Sequence, residues 1–145
     1  MHKYHFNTFL FLLILGFSCR SSKEFPANYS EDQIHFGQGG GFSGIVTHYT
    51  LLEDGRLFQK EYRDTAYTLV DTWAPDFTAQ MFNNYELLGL DKVNYYEPGD
   101  LYYFIEYHSP KKEIHRIGWG RPGFTPDDNV VKFYNLLYKS TKPQQ

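Results

Sequence analysis

Apolar and polar residues alternate along the chain on both sides of Asp54-Gly55. This pattern is typical of a β-hairpin, because an Asp-Gly pair tolerates the positive φ angles that a type I′ turn needs. The first strand is predicted over residues 44–52 and the second over residues 56–63. With a two-residue turn, Leu52 would lie opposite Leu57 across the hairpin.

A second hairpin is predicted from the alternation in residues 101–119. We take His108 to pair with Glu113 across the turn. Phe104 then points inward against a helix, opposite Ile117. The same register aligns two more cross-strand pairs, Tyr102 with Trp119 and Glu106 with His115.

Two amphipathic helices are predicted from apolar residues that recur every three or four positions. The first begins at Pro75, since proline suits the first helical position, and ends before Gly89. The second begins at Thr125-Pro126, a capping residue followed by proline, and is closed by Pro143. The apolar stripes are Phe77, Met81, Tyr85 and Leu88 in the first helix, and Val130, Phe133, Tyr134 and Leu137 in the second.

Two further strands are predicted, one through Ile34 and Phe36 and a short one over residues 67–72. The elements then follow in the order strands, helix, strands, helix. We expect an α+β fold, in which an antiparallel sheet of four to six strands is built from two hairpins and carries both helices on one face. A chain of 145 residues is long enough for one such domain with one core.

The first 18 residues have the layout of a secretory signal, with a short basic start and an unbroken apolar run before Cys19. The end of this segment resembles a bacterial lipobox, although Gly16 stands where the usual pattern has leucine. The resemblance implies cleavage before Cys19 and lipidation of its sulfur, and a plain signal peptide with an incidental cysteine is the alternative. We expect residues 1–18 to be the signal, 19–31 a polar tether, 32–140 the domain and 141–145 a tail.

Charge and residue spacing argue against several classes of function. The net charge is −3 and no long basic run is present, so nucleic-acid binding is not expected. The single cysteine leaves no partner for a disulfide or a thiolate metal cluster. We expect no metal and no cofactor, because no metal-ligand spacing relates the histidines outside the signal, which are His35, His48, His108 and His115.

A run of three glycines at residues 39–41 precedes Phe42 and Gly44. Because glycine has no side chain to pack, the run marks a bulge, a tight bend or a close approach by another backbone. It is not a phosphate loop, since the Gly-Lys-Ser/Thr ending is missing. Phe42 is expected to fill the core, with contact to a partner protein as the alternative. The candidate contact residues are Gly40, Gly41, Phe42, Tyr102 and Tyr103.

Glu106 and His115 form a second candidate site in the predicted register. A carboxylate beside an imidazole can orient a general base, but no nucleophile lies at a fixed spacing from this pair. An ordinary cross-strand pair is the alternative. We therefore predict no catalytic residue and no enzyme activity.

Two resemblances add to these predictions. The segment GGFSGI at residues 40–45, followed by the Asp-Gly turn and a terminal amphipathic helix, resembles emfourin, a family of small protein inhibitors of thermolysin-like metalloproteases. That resemblance spans residues 34–137 and implies inhibition by protein binding, without assigning inhibitory residues. The N-terminal segment and Lys23-Glu24 resemble small lipoproteins of the Bacteroidetes type, which implies an outer-membrane lipoprotein that faces the periplasm or the outside.

Two functions from different classes follow from these observations. The first is a lipoprotein that is held on the membrane through Cys19 and binds another protein, as a metalloprotease inhibitor if the emfourin resemblance holds. The second is a small-ligand-binding or minor hydrolytic domain that uses Glu106, His115 and neighbouring aromatic residues.

Overall fold

The computed structural model of the chain describes residues 25–42, 44–61, 66–111 and 113–142. In this part of the chain, seven β-strands and two α-helices are joined by turns and short 3-10 helices. The strands are β1 Gln33–Gly40, β2 Thr47–Leu52, β3 Arg56–Glu61, β4 Thr68–Thr72, β5 Tyr96–Glu97, β6 Leu101–His108 and β7 Ile114–Trp119. The helices are α1 Pro75–Leu87 and α2 Asp128–Ser140.

The strands form one sheet in the order β4-β3-β2-β1-β6-β7-β5. All neighbours run antiparallel except β5 and β7, which are parallel. The predicted α+β class, antiparallel character and two helices are confirmed. The predicted number of strands is wrong, since the sheet has seven instead of four to six. The description as two hairpins is too simple, because β1 lies at the centre and pairs with both β2 and β6.

One hydrophobic core joins both helices to one face of the sheet. Successive side chains of a strand point to opposite faces, so alternate residues of β1, β2, β6 and β7 enter this core. Each large apolar side chain that is fully buried contributes about 1.5 to 3 kcal/mol to stability. The fully buried members are Ile34, Phe36, Leu51, Leu57, Met81, Leu90, Ile105, Ile117, Val130, Phe133 and Leu137.

The helix limits follow the local sequence signals. Pro75 is the first residue of α1, and Gly89 adopts a left-handed φ of 75° just beyond its end. The second helix begins later than predicted, because Asp127 caps it instead of Thr125. The Asp127 carboxylate accepts a hydrogen bond from the Asn129 N–H at 2.8 Å, which satisfies one free donor of the first turn.

The hairpin of β2 and β3 pairs one residue away from the predicted register. Leu51 lies opposite Leu57 in place of Leu52, because the loop between the strands holds three residues, 53–55, instead of two. The Gly55 N–H donates to the Leu52 carbonyl at 2.9 Å, and Gly55 has a φ of 90°. Such a loop is a turn followed by a left-handed glycine, so the predicted type I′ turn is wrong.

The register of β6 and β7 is also shifted by one residue. His108 pairs with Ile114 instead of Glu113. A shift of one residue moves a side chain to the other face of the sheet. Ile117 is buried in the core as predicted, whereas Phe104 is buried on the face away from the helices, so its predicted position is wrong.

This shift also separates Glu106 from His115. Glu106 lies opposite Arg116, and His115 lies opposite Tyr107. Neighbouring residues of a strand point to opposite faces, so the carboxylate and the imidazole lie on different sides of the sheet. The predicted acid–imidazole pair does not form.

Packed structure begins before residue 32, within the predicted tether. Pro26 is buried in a 3-10 turn, and the ring of Phe25 lies 6.5 Å from that of Phe58. The Gln33 amide donates to the Tyr29 carbonyl at 3.2 Å. Residues 1–18 and Cys19 lie outside the described residues, as does most of the predicted tail. None of the helices described by the structure is long and apolar enough to cross a membrane.

Candidate functional site

The glycine run forms a sharp turn at the end of β1, and we call its described residues, 40–42 and 44–45, the glycine turn. Gly40, Gly41 and Gly44 have φ angles of 90°, 72° and 61°, in the left-handed region that other residues rarely adopt. The Gly41 N–H donates to the carbonyl of Asp100 at 2.6 Å, which fixes the turn against the start of β6. A Cβ atom on Gly40 would lie 1.8 Å from the same carbonyl oxygen, so only glycine fits there.

Phe42 projects from the glycine turn and is fully exposed. The prediction that it fills the core is therefore wrong. Leu101, which pairs with Gly40, and Ile45 are also largely exposed, so three apolar side chains lie at this end of the sheet. Large apolar side chains grouped at the surface commonly mark interaction sites.

The two tyrosines predicted as contact residues lie on opposite faces of β6. Tyr102 lies over Gly39, where an added Cβ atom would be 2.7 Å from the tyrosine hydroxyl. Tyr103 lies opposite Trp119, stacks on it at 5.7 Å and meets Tyr134 edge to face, on the side of the helices. The structure thus brings Tyr102 to the face opposite the helices, and Tyr103 packs against the core.

The face of the sheet away from the helices carries a group of three histidines from three strands. His35 Nδ1 lies 2.9 Å from His48 Nε2 and 3.1 Å from Thr50 Oγ1. His35 Nε2 lies 3.1 Å from Gln33 Oε1. The ring of His108 stacks on that of His35 with 3.9 Å between centroids. We call His35, His48 and His108 the histidine cluster.

The hydrogen bonds around His35 define which nitrogen carries the proton. The Gln33 amide nitrogen donates to a backbone carbonyl, so the side-chain oxygen faces His35 and accepts. His35 Nε2 must therefore carry the proton. His35 Nδ1 is then an acceptor for the Nε2–H of His48, with the Thr50 hydroxyl also within reach. The cluster is a directed chain of hydrogen bonds in which His35 is neutral.

Burial sets the electrostatics of this cluster. Only 5% of the His35 surface is exposed, and this burial lowers its pKa from 6.5 to about 3. The positive charges that His108 and His48 would carry lower it further, while Glu106 acts in the opposite direction. The pKa of His48 is lowered as well, chiefly by burial.

Glu106 links the histidine cluster to a cation on β7. Its Oε2 accepts a hydrogen bond from His108 Nε2 at 3.1 Å, and its Oε1 accepts one from Arg116 Nε at 2.9 Å. Burial alone would raise the pKa of Glu106, but the bond from His108 and the charge of Arg116 lower it overall. The carboxylate is therefore occupied on both oxygens.

A cavity of about 390 Å³ lies between this face and the N-terminal segment. Gln33, His35 and His108 line its sheet side, and Tyr29 belongs to the covering segment. Within the described residues, no group of three or more His, Cys, Asp or Glu residues is arranged to hold a metal ion. The contacts of the histidine cluster include hydrogen bonds, ring stacking and the ion pairs of Glu106.

Comparisons of the chain with protein-family models, with curated proteins and with solved structures found no match. The resemblances to emfourin and to Bacteroidetes-type lipoproteins therefore stay predictions that rest on residues 40–45 and 1–19. The functional interpretation depends on the geometry of this chain itself.

The histidine cluster was not predicted from the sequence. His35, His48 and His108 come from strands that become neighbours only through the order β2-β1-β6. The available signal was the alternation of β1, which places His35 on the face opposite Ile34 and Phe36. To predict the cluster from this alternation, one would also need to know that β1 pairs with β6, and no local pattern indicates that pairing.

Proposed function

We propose that this chain is a membrane-anchored lipoprotein whose domain binds another protein through the glycine turn. The observation that carries the proposal is the full exposure of Phe42 on a turn of left-handed glycines. A phenylalanine in water costs about 1.5 to 3 kcal/mol relative to a buried one. That cost is recovered when a partner covers the ring.

The turn is suited to binding because it is held in place before any partner arrives. Gly41 is bonded to Asp100, and Gly44 N–H donates to the Gly41 carbonyl at 3.1 Å. A preorganised loop loses less conformational entropy on binding than a mobile one. An exposed, preorganised loop also suits a protease inhibitor, the function that the emfourin resemblance implies. We therefore extend the proposal to inhibition of a thermolysin-like metalloprotease.

Replacing Phe42 with alanine should leave the melting temperature near that of the wild type, because the ring makes no core contact. Binding to the partner should weaken at least about tenfold, since burial of the ring supplies over 1.4 kcal/mol. Inhibition of a thermolysin-like protease and capture of envelope proteins by the full chain measure this effect. Leu87→Ala, which removes an exposed apolar side chain from α1, is the matched control. A large drop in melting temperature with unchanged binding would contradict the proposal.

Anchoring is tested separately at Cys19. Cys19→Ala should release the protein from the membrane pellet or leave it with its signal attached, because the acylated sulfur is lost. Two acyl chains hold a protein stably on a bilayer where a single chain does not. Fractionation and incorporation of labelled palmitate report the result, with Ser21→Ala as control. Normal processing and unchanged pelleting of Cys19→Ala would rule out the anchor.

The alternative function is a small-ligand-binding or minor hydrolytic domain that was predicted to use Glu106 and His115 together. Glu106 and His115 lie on opposite faces of the sheet, so they do not act together on one bound substrate. Ligand binding by His115 and its aromatic neighbours does not depend on that pair.

A further inference from the structure

A second cavity, of about 400 Å³, lies on the other side of the hairpin formed by β6 and β7. Its walls come from the end of α1, the turn that follows it, and the ends of β6 and β7. A cavity of this volume is large enough for a small organic ligand. The lining includes three aromatic residues, Tyr85, Tyr107 and His115, and three acidic residues, Glu86, Asp91 and Glu113.

The inner polar groups of this cavity are already hydrogen-bonded to one another or to the backbone. His115 Nε2 lies 2.8 Å from the carbonyl oxygen of Val93, which only accepts, so this nitrogen carries the proton. His115 Nδ1 is hydrogen-bonded to the Tyr85 hydroxyl. Burial, followed by the charge of Asp91, raises the pKa of Tyr85, which keeps the phenol protonated. Both ring nitrogens of His115 are therefore hydrogen-bonded within the protein.

The aromatic wall of the cavity is formed by the half-buried Tyr107, with Tyr85, only 2% exposed, packed behind it. The centroids of Tyr85 and Tyr107 lie 4.7 Å apart, with the ring planes tilted by 30°. The faces of tyrosine rings carry negative charge density and attract cations within about 6 Å. Burial raises the pKa of Tyr107, and a hydrogen bond with Asp32 and the charge of Glu86 add to this effect. The rings thus lie in a negative electrostatic environment.

The carboxylates at the rim form no ion pair with another described residue. In the part of the chain that the structure describes, Glu86, Asp91 and Glu113 have no lysine, arginine or histidine nitrogen within 4 Å. Among the described residues, no lysine or arginine lines the cavity. An apolar aromatic wall beneath unneutralised carboxylates is complementary to a ligand that is positively charged and partly apolar.

We propose that this cavity binds a small organic cation of the alkylammonium type. The aromatic wall would contact its apolar carbons, and the carboxylates of Glu86, Asp91 and Glu113 would neutralise its charge. This site is separate from the glycine turn and does not depend on the function proposed for Phe42.

Choline is a suitable probe, and 3,3-dimethylbutan-1-ol is its uncharged counterpart of nearly the same shape. The full chain in a nonionic detergent is titrated with each while NMR follows the ring signals of Tyr107 and His115. Choline should shift these signals saturably. The neutral alcohol should bind at least about tenfold more weakly, because it lacks the cation–π and ionic contributions.

Two triple variants with equal net charge distinguish binding at this cavity from non-specific attraction of a cation to an acidic protein. Glu86→Gln, Asp91→Asn and Glu113→Gln together should weaken choline binding at least about tenfold. Asp76→Asn, Asp100→Asn and Asp128→Asn together should leave it unchanged, because none of these residues lines the cavity. A single Tyr107→Leu variant should weaken choline more than the alcohol. Equal binding of the two probes, equal loss in both triple variants, or no saturable shift would overturn the proposal.

Discussion

Replacing Gly37 with alanine is expected to lower the free energy of unfolding by about 3 kcal/mol or more. A Cβ atom at this position would lie 2.0 Å from the carbonyl oxygen of Thr47 and 3.0 Å from the ring of Phe104. The first contact is to backbone, which cannot rotate away as a side chain can. Because Gly37 lies inside β1, relieving the overlap would move β1 away from β2.

Gly41→Ala provides the matched control for this effect. Gly41 has a φ of 72°, but no atom lies within 4 Å of the position a Cβ would take. Its replacement should therefore cost only the left-handed strain, about 1 kcal/mol. Chemical denaturation of both variants measures the difference. Equal costs at the two positions would mean that β1 and β2 do not approach closely at Gly37.

Acidification from pH 7 to pH 5 is expected to lower the free energy of unfolding by about 2 kcal/mol through His35 alone. The folded pKa of His35 is about 3 and its unfolded value is 6.5, so the unfolded state binds the proton first. The contribution of neutral His35 to the free energy of unfolding is therefore fully present above pH 6.5. It decreases as the pH drops toward 3, where the total loss reaches about 4 to 5 kcal/mol. His48, with a lowered pKa of its own, adds to the same trend.

The charged groups around His35 determine how the measurement must be made. His48 on β2, His108 and Glu106 on β6, and Arg116 on β7 lie on the same face, and Lys60 on β3 acts on His48. Glu106 has a lowered pKa, so its stabilising contribution is lost only below its ordinary value of 4.5. The change in the free energy of unfolding between pH 7 and pH 5 therefore reports the histidines without a contribution from Glu106.

His35→Gln should flatten this pH dependence, because glutamine does not titrate and still offers hydrogen bonds to Gln33 and Thr50. Urea unfolding at several pH values compares it with the wild type. A wild-type stability that is constant from pH 7 to pH 5 would show that His35 is protonated without cost in the folded state.

Local sequence signals predicted the helices and strands well, because the formation of each helix or strand depends mainly on residues that are neighbours in the sequence. Pro75 and Gly89 define the first helix at both ends, and the alternation through Ile34 and Phe36 marks β1. The strand registers depended on turn geometry, and the three-residue loop ending in Gly55 could not be told from a two-residue Asp-Gly turn. The one-residue error in the hairpin of β6 and β7 placed Phe104 and Glu106 on the wrong face.

The candidate sites depended on contacts between distant strands. Phe42 was expected in the core because apolar residues usually are buried, yet the turn that carries it ends at the surface. The histidine cluster and the cavity beside His115 exist only after β1, β2, β6 and β7 are aligned with α1. No spacing along the chain encodes those distances.

Because β1 lies at the centre of the sheet, the chain cannot complete its core early in synthesis. Its partner β6 is made only after β2 to β5 and α1. Pairing between segments so far apart in sequence is slow, since loop closure must be achieved before the contacts stabilise it. The strands β1 to β4 can pair with one another first, whereas the core that joins the sheet to both helices closes only after β6, β7 and α2 have been made.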